Sequence, residues 1–252
     1  MTDLVNDARS TDELFRVALS LEGDAAWDAV AALHWRGTEE VLEKSIILSR
    51  SSDAKERARA ADILGQLGIP DRTFPDQSFD NLLRLLSDKD VHVISAAIMG
   101  LQHLDRDQAA PFVLPYAENA DTKVRYAVSV ALGGVETPPA ISALLTLLDD
   151  RDDELRDWAT FGLGSLSGED SNEIRDALAN NLADRDADVR YEAAIGLGRR
   201  QDSRAAKFII DMLRADPEDL FAREAAAVLL NTKDGEKTPS SDLIHALKAL
   251  QS

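Results

Sequence analysis

The sequence predicts an all-α protein, a solenoid of about seven stacked helix pairs. Three observations carry this. Leucines at 33, 64, 101, 132, 163, 197 and 230 close similar apolar segments and are separated by 31, 37, 31, 31, 34 and 33 residues. A near-constant period of this length marks a repeat architecture, in which each unit buries its apolar face only against its neighbours. Between the leucines apolar residues recur at helical spacing, and with 44% hydrophobic but only 5% aromatic residues the core is expected to be built from Leu, Ala, Ile and Val. Finally, "NADTKVRYAVSVALGG" (119–134), "DRDDELRDWATFGLGS" (150–165) and "DRDADVRYEAAIGLG" (184–198) align in one frame: Val124-Arg125 with Leu155-Arg156 and Val189-Arg190, and Val128 with Ala159 and Ala193.

The elements follow in order, about 15 helices and no strands. "TDELFRVALSLEG" opens the chain as an unpaired helix whose Asp12, Glu13 and Arg16 suit a polar cap, so residues 1–23 are read as an N-terminal capping helix. "AAWDAVAAL", "ERARAADIL" and "VISAAIMGL" are the weaker early copies of the frame helix. The 37-residue step holds "GIPDRTFPDQS" (68–78), an enlarged loop with two prolines. Each frame helix is followed by a turn and a second helix. In "PPAISALLTLLDD", Pro138 sits where a first-turn proline forfeits no hydrogen bond, and Ile141, Leu144, Leu145 and Leu148 recur at i, i+3, i+4, i+7. "FDNLLRLLSD", "NEIRDALANNLAD" and "RAAKFIIDMLRAD" repeat the pattern. After "AREAAAVLL", residues 232–252 are read as a flexible loop and a C-terminal capping helix, "SSDLIHALKAL", and 1–252 as a single domain.

The frame "LL-D…VR..A…LG", as in "LLTLLDDRDDELRDWATFGLG" and "LADRDADVRYEAAIGLG", resembles HEAT repeats, in particular the short variety named after phycobilisome lyases. The resemblance spans nearly the whole chain. It implies a right-handed α-α superhelix with the Val-Arg helices lining the concave side. It also implies a ladder of an Asp at the end of one helix and an Arg early in the next, here Asp150 with Arg156 and Asp184 with Arg190, interrupted toward the N-terminus where Ile94 and Ala26 replace the arginine. Fold likeness of this kind is specific for architecture and weak for function.

Glycine inside a helix costs about 1 kcal/mol relative to alanine. Gly162, Gly164, Gly196 and Gly198 nevertheless recur in register with Ala131 and Gly133. Recurrence in register points to close approach of neighbouring backbones, with a hinge as the alternative. The Asp-rich turns, such as "DDRDDE" (149–154), lack the central Gly and terminal Glu of a calcium loop and read instead as helix caps.

Composition narrows the function. The chain carries 46 acidic and 28 basic residues, net −18, with no basic cluster, which argues against nucleic acid and anionic membranes as partners. It has no cysteine, so disulfides, thiolate metal sites and a Cys nucleophile are excluded. No apolar run approaches a membrane span, "MTDLVNDARS" does not resemble a signal peptide, and the expected compartment is cytoplasmic. His34, His92, His103 and His245 belong to no HExxH and read as surface or groove residues. None is followed by Glu, so the chain does not resemble the HEAT-like di-iron hydroxylases. There is no GxSxG and no P-loop. No catalytic residue, metal site or cofactor is assigned.

What remains is one face of the frame helices. A wheel with Val189 at zero puts the buried arc near Ala193, Gly196 and Leu197 and turns Tyr191, Ile195 and Arg199 outward, with Trp158 at the edge of the core. The equivalent positions elsewhere are Trp27, Ala31 and Trp35, then Ala58, Asp62 and Gln66, then Ser95, Met99 and His103, then Tyr126 and Val130, and Asp157 and Phe161. A run of aromatic and apolar side chains on an outward face suits an interaction surface, whereas a one-residue error of phase would return it to the core. The expected function is a non-enzymatic scaffold binding a protein or peptide along the concave groove, with acidic rims favouring a basic partner. The lyase-type resemblance implies an alternative, a bilin lyase-like subunit with His103 or Arg199 pairing the chromophore. Some HEAT-like proteins are DNA glycosylases, a reading the net charge disfavours. Oligomeric state is left open.

Overall fold

The frame leucines lie in or just after the last turn of a helix in the computed structural model, which describes residues 4–233 and 237–251. Among the described residues there are fourteen α-helices and no strands: α1 (Thr11–Ser20), α2 (Asp24–Arg36), α3 (Glu39–Leu48), α4 (Ala54–Gly65), α5 (Pro75–Leu85), α6 (Val91–Val113), α7 (Thr122–Leu132), α8 (Pro138–Leu147), α9 (Asp153–Phe161), α10 (Asn172–Asn181), α11 (Ala187–Arg199), α12 (Ala205–Ala215), α13 (Leu220–Leu229) and α14 (Ser240–Ala249). α6 is a pair in itself, because Asp105 leaves the helical region at φ −157°, ψ 104° and divides it into 91–104 and 106–113. Counted that way, seven pairs follow α1, as the leucine period predicts. The frame helices are α2, α4, the first half of α6, α7, α9, α11 and α13.

The sequence signals act where they stand. Ser10 and Glu13 form a capping box at α1, and Asp53, Asp90, Asp152, Asp186 and Asp219 each accept a backbone N–H at the start of a frame helix. The Asp-rich turns are caps and turns. Pro75 and Pro138 open α5 and α8 from the first helical position. The enlarged loop folds back on the first pair, where the Gly68 N–H donates to the His34 carbonyl and the Thr73 hydroxyl to the Gly37 carbonyl, both at 2.8 Å. Part of the loop expected over "NTKDGEKTPSS" lies outside the described residues.

The chain divides into two compact units, residues 1–131 and 132–252. In the first, α1 packs on α2, and α4 lies between α2 and α6. The core there includes Leu14, Leu33, Ile63, Leu64, Leu82, Ile98 and Leu101, all without exposed surface. In the second, α9, α11 and α13 pack side by side, with α10, α12 and α14 behind them. Ile174, Leu178, Leu197, Ile209, Leu213 and Leu247 fill that core.

The in-register glycines are sites of backbone approach. A Cβ on Gly65 would lie 2.4 Å from the Gly100 Cα, and one on Gly196 would lie 2.7 Å from the Gly164 Cα. Neither distance admits a methyl group, so the frame helices pack at the separation that glycine alone permits.

The arginines of the frame have a common duty. Arg57, Arg125, Arg156 and Arg190 each donate from Nη1, and Arg223 from Nε, to the carbonyl six residues earlier, at 2.7–3.0 Å. The carboxylate pairing differs from the expected one. Arg156 makes a bidentate pair with Asp184 of the following repeat, at 2.8 and 2.7 Å, and Arg57 does the same with Asp88, at 2.7 and 2.8 Å. Arg190 takes the Asp184 backbone carbonyl, not its carboxylate. Its own acceptor position one repeat on is Pro217, which has no carboxylate to offer. A step thus needs an Arg in one repeat and an Asp in the next. That is why the ladder survives at Arg57–Asp88 although Ile94 replaces the arginine of the third repeat.

Candidate functional site

The outward positions of the frame helices separate into three groups. Trp27 and Trp35 on α2 are 52% and 38% exposed, and His103 and Arg199 are exposed at the ends of their helices. Met99, Tyr126, Phe161 and Tyr191 are half-buried, as is Trp158, which lies edge-to-face on Phe161 at 5.8 Å. Val130 and Ile195, expected on the open face, are only 7% exposed. For Ile195 the reason is visible: α11 touches α9 and α13 on its flanks as well as α10 and α12 behind, so its buried arc is wider than a two-partner helical wheel allows. His34, expected at the surface, is 6% exposed, and its Nε2 meets the Asp62 carbonyl at 3.0 Å. Burial pulls its pKa down to about 4, so the ring is neutral.

In the first unit the Arg59 guanidinium lies 4.6 Å above the Trp27 ring, donates to the Ala18 carbonyl at 3.1 Å and pairs with Asp62 at 3.2 Å. It fixes one face of Trp27 and ties the end of α1 to α4. Despite that arginine, burial holds the Asp62 carboxyl up at about 6.

The second unit carries a different surface. The frame position occupied by Tyr191 is Asp157 on α9 and Glu224 on α13. The Tyr191 hydroxyl donates to Glu224 Oε2 at 2.7 Å, and its ring stands edge-to-face on Phe221 at 4.8 Å. Phe221 and its neighbour Leu220 are 59% and 70% exposed. Beside Tyr191, Glu192 accepts from the Ser165 hydroxyl at 3.1 Å. Burial raises the Glu192 carboxyl to about 7, against the Ser165 hydrogen bond and with repulsion from Asp157 and Glu224, and burial with repulsion from Asp188, Asp186 and Glu154 raises the Asp157 carboxyl to about 6. Burial and the adjacent Glu224 raise the Tyr191 hydroxyl too. Arg199 and Glu224 line a cleft of about 470 Å³ with Gln201, Val228 and Lys233. Glu224 could have been read from the sequence by carrying the Arg+1 position one repeat further. Phe221 lies two residues before the frame arginine, where the repeat pattern gives no signal.

A pH prediction follows. A carboxyl whose folded pKa is raised stabilises the fold fully below its unfolded value and loses that contribution as pH rises through the folded value. Glu192→Gln should therefore stabilise the protein at pH 8, by on the order of 1 kcal/mol after allowing for solvent screening, and much less at pH 5. Thermal unfolding of both proteins at the two pH values checks this. An equal difference at pH 5 and pH 8 would refute it.

Models of HEAT repeats match residues 45–112, 80–164 and 141–231. Protein YibA of Escherichia coli strain K12 is 29% identical over 238 residues, covering 90% of this chain and 81% of YibA. The crystal structure of YibA matches with a TM-score of 0.77 at 26% identity, over 96% of this chain and 93% of that one. The complex of CpcE and CpcF of phycocyanin lyase from Nostoc sp. PCC7120 matches with a TM-score of 0.50 at 19% identity, over 97% of this chain and 96% of that one. The last is a likeness of fold alone. Among the described residues no helix is long and apolar enough to cross a membrane, and no group of three or more His, Asp or Glu could hold a metal ion.

Proposed function

We propose that this chain, which belongs to the HEAT-repeat family, is a binding scaffold that engages a protein partner through the outward face of its frame helices. The observation that carries the reading is the exposure of large apolar side chains on that face. Trp27 and Trp35 in the first unit, and Leu220 and Phe221 in the second, are held in water by helices anchored in the core through Ala29, Val30 and Leu33 and through Ala222, Ala226 and Leu229. Aromatic anchors on a rigid helical surface bind with little loss of rotamer freedom, and apolar patches of this kind mark interaction sites. Partner binding is assigned here to Trp27, Trp35, Met99, His103, Tyr126, Phe161, Tyr191 and Arg199. The lyase alternative has only a shared backbone behind it.

The test is a fourfold variant, Trp27→Ser, Trp35→Ser, Phe161→Ser and Tyr191→Ser, used beside the wild type as bait in a lysate of the source organism. The variant is expected to keep its helical circular dichroism and to lose at least one protein that the wild type retains. If the folded variant retains the same set of proteins, the face does not bind them and the reading fails.

A further inference from the structure

Elsewhere in the second unit, inward-lying carboxylates are matched with arginines. Asp184 holds Arg156 at 2.7 Å, and Asp202 holds Arg204 at 2.6 Å and Arg175 at 3.4 Å. Their pKa values are lowered accordingly, chiefly by those arginine hydrogen bonds. Asp157, Glu192 and Glu224 break this habit. They stand on three consecutive frame helices, and Asp157 and Glu224 both repel Glu192, yet among the described residues none of the three has a Lys or Arg nitrogen within 4.0 Å. Among the described residues, their side-chain hydrogen bonds come from neutral hydroxyls, Ser165 to Glu192 and Tyr191 to Glu224. Asp157 Oδ1 is shut off from solvent and accepts no hydrogen bond at all. Arg199 and Lys233 line the neighbouring cleft without forming an ion pair with Glu224.

Beside these unmatched charges lies the most exposed apolar surface of the unit, Leu220 and Phe221, with Phe221 braced by the Tyr191 ring. The packed helices α9, α11 and α13 set the backbone positions of both features side by side. Their chemistry asks for a ligand with positive charge at one point and apolar surface next to it.

We infer that the α9–α11–α13 face docks a basic, amphipathic segment of another protein, with a Lys or Arg among Asp157, Glu192 and Glu224 and an apolar side chain on Phe221 and Leu220. This rests on the scaffold reading above and names the partner's chemistry. A protein segment is favoured over a small cation because the charges alone would leave the apolar shelf in water. A polyanion is excluded by the sign of the surface. Ionising the half-buried Asp157 and Glu192 without a counter-ion costs the free protein, and a bound cation removes that cost, so the attraction to these two is worth more than at an exposed surface pair.

The experiment uses the full chain and synthetic peptides followed by isothermal titration calorimetry. The probes are a 15-residue amphipathic helix of Lys and Leu, its Glu and Leu counterpart, and hexalysine. The expected result is binding of the Lys/Leu peptide at least tenfold tighter than hexalysine, no binding of the Glu/Leu peptide, and at least fivefold weakening at high salt. The triple variant Asp157→Asn, Glu192→Gln, Glu224→Gln should lose at least tenfold, as should Phe221→Ser, with helical circular dichroism unchanged. A charge-matched control, Asp80→Asn, Asp107→Asn, Glu118→Gln, alters exposed acids of the first unit and should stay within twofold of the wild type. Absence of Lys/Leu binding, or equal losses in the two triple variants, overturns the inference. If that happens while the fourfold variant still loses its partner from the lysate, the scaffold reading stands and only this assignment falls.

Discussion

Replacing Arg200 with methionine is expected to remove a large part of the stability of the second unit, about 3–5 kcal/mol. The turn after α9 is a π-helical turn, Gly162–Leu166, closed by the Ser167 N–H to the Gly162 carbonyl at 3.1 Å. A helix end leaves its last carbonyls without partners. Arg200, itself only 8% exposed, fills that gap from the end of α11. Its Nη2 donates to the carbonyls of Leu163 at 2.7 Å, Glu169 at 2.6 Å and Ser167 at 3.3 Å, and its Nη1 to those of Gly164 and Gly196 at 3.0 Å. The charge also lies at the negative end of α9. Methionine keeps much of the volume and none of the donors, leaving several carbonyls buried and unpaired, each costing about 1–3 kcal/mol where no water reaches it. Lysine at this position has the charge but not the planar fork, and should recover less than half of the loss. Urea unfolding of the wild type, Arg200→Met and Arg200→Lys measures this. A midpoint for Arg200→Met close to the wild type would show that the carbonyls find other partners. Against a typical domain stability of about 5–15 kcal/mol the expected change is severe.

Gly65→Ala is expected to cost about 2–3 kcal/mol, even though alanine favours a helix by about 1 kcal/mol over glycine. The added methyl would stand 2.4 Å from the Gly100 Cα, backbone against backbone, so α4 and α6 must move apart and disturb the core between them. Gly100→Ala is the informative partner. Its methyl would press chiefly on the Leu82 methyls at 3.0 Å, which can rotate away, and on the Ala61 carbonyl at 3.2 Å. The asymmetry predicts a smaller loss for Gly100→Ala than for Gly65→Ala, measured by thermal unfolding. Equal losses would show that Leu82 cannot give way, and a gain at position 65 would mean that this glycine is not a point of close packing.

The period, the helices, their caps and their proline starts were legible in the sequence because each is governed by residues within about one helical turn of one another. The seven pairs follow from the leucine spacing, and the packing role of Gly162, Gly164, Gly196 and Gly198 from their register. The tertiary structure alone decided the features that join residues roughly one period apart. It set the partner of Asp184 as Arg156 and not Arg190, buried Ile195 while leaving Trp27 in water, and brought Arg200 onto carbonyls 31–37 residues earlier in the chain. A helical wheel knows the direction in which a side chain leaves its own helix, but not how many neighbours wait there. The row of Asp157, Glu192 and Glu224 is the clearest case: three acids well separated in the chain, unremarkable one at a time, become a single uncompensated surface only when stacking sets their helices side by side.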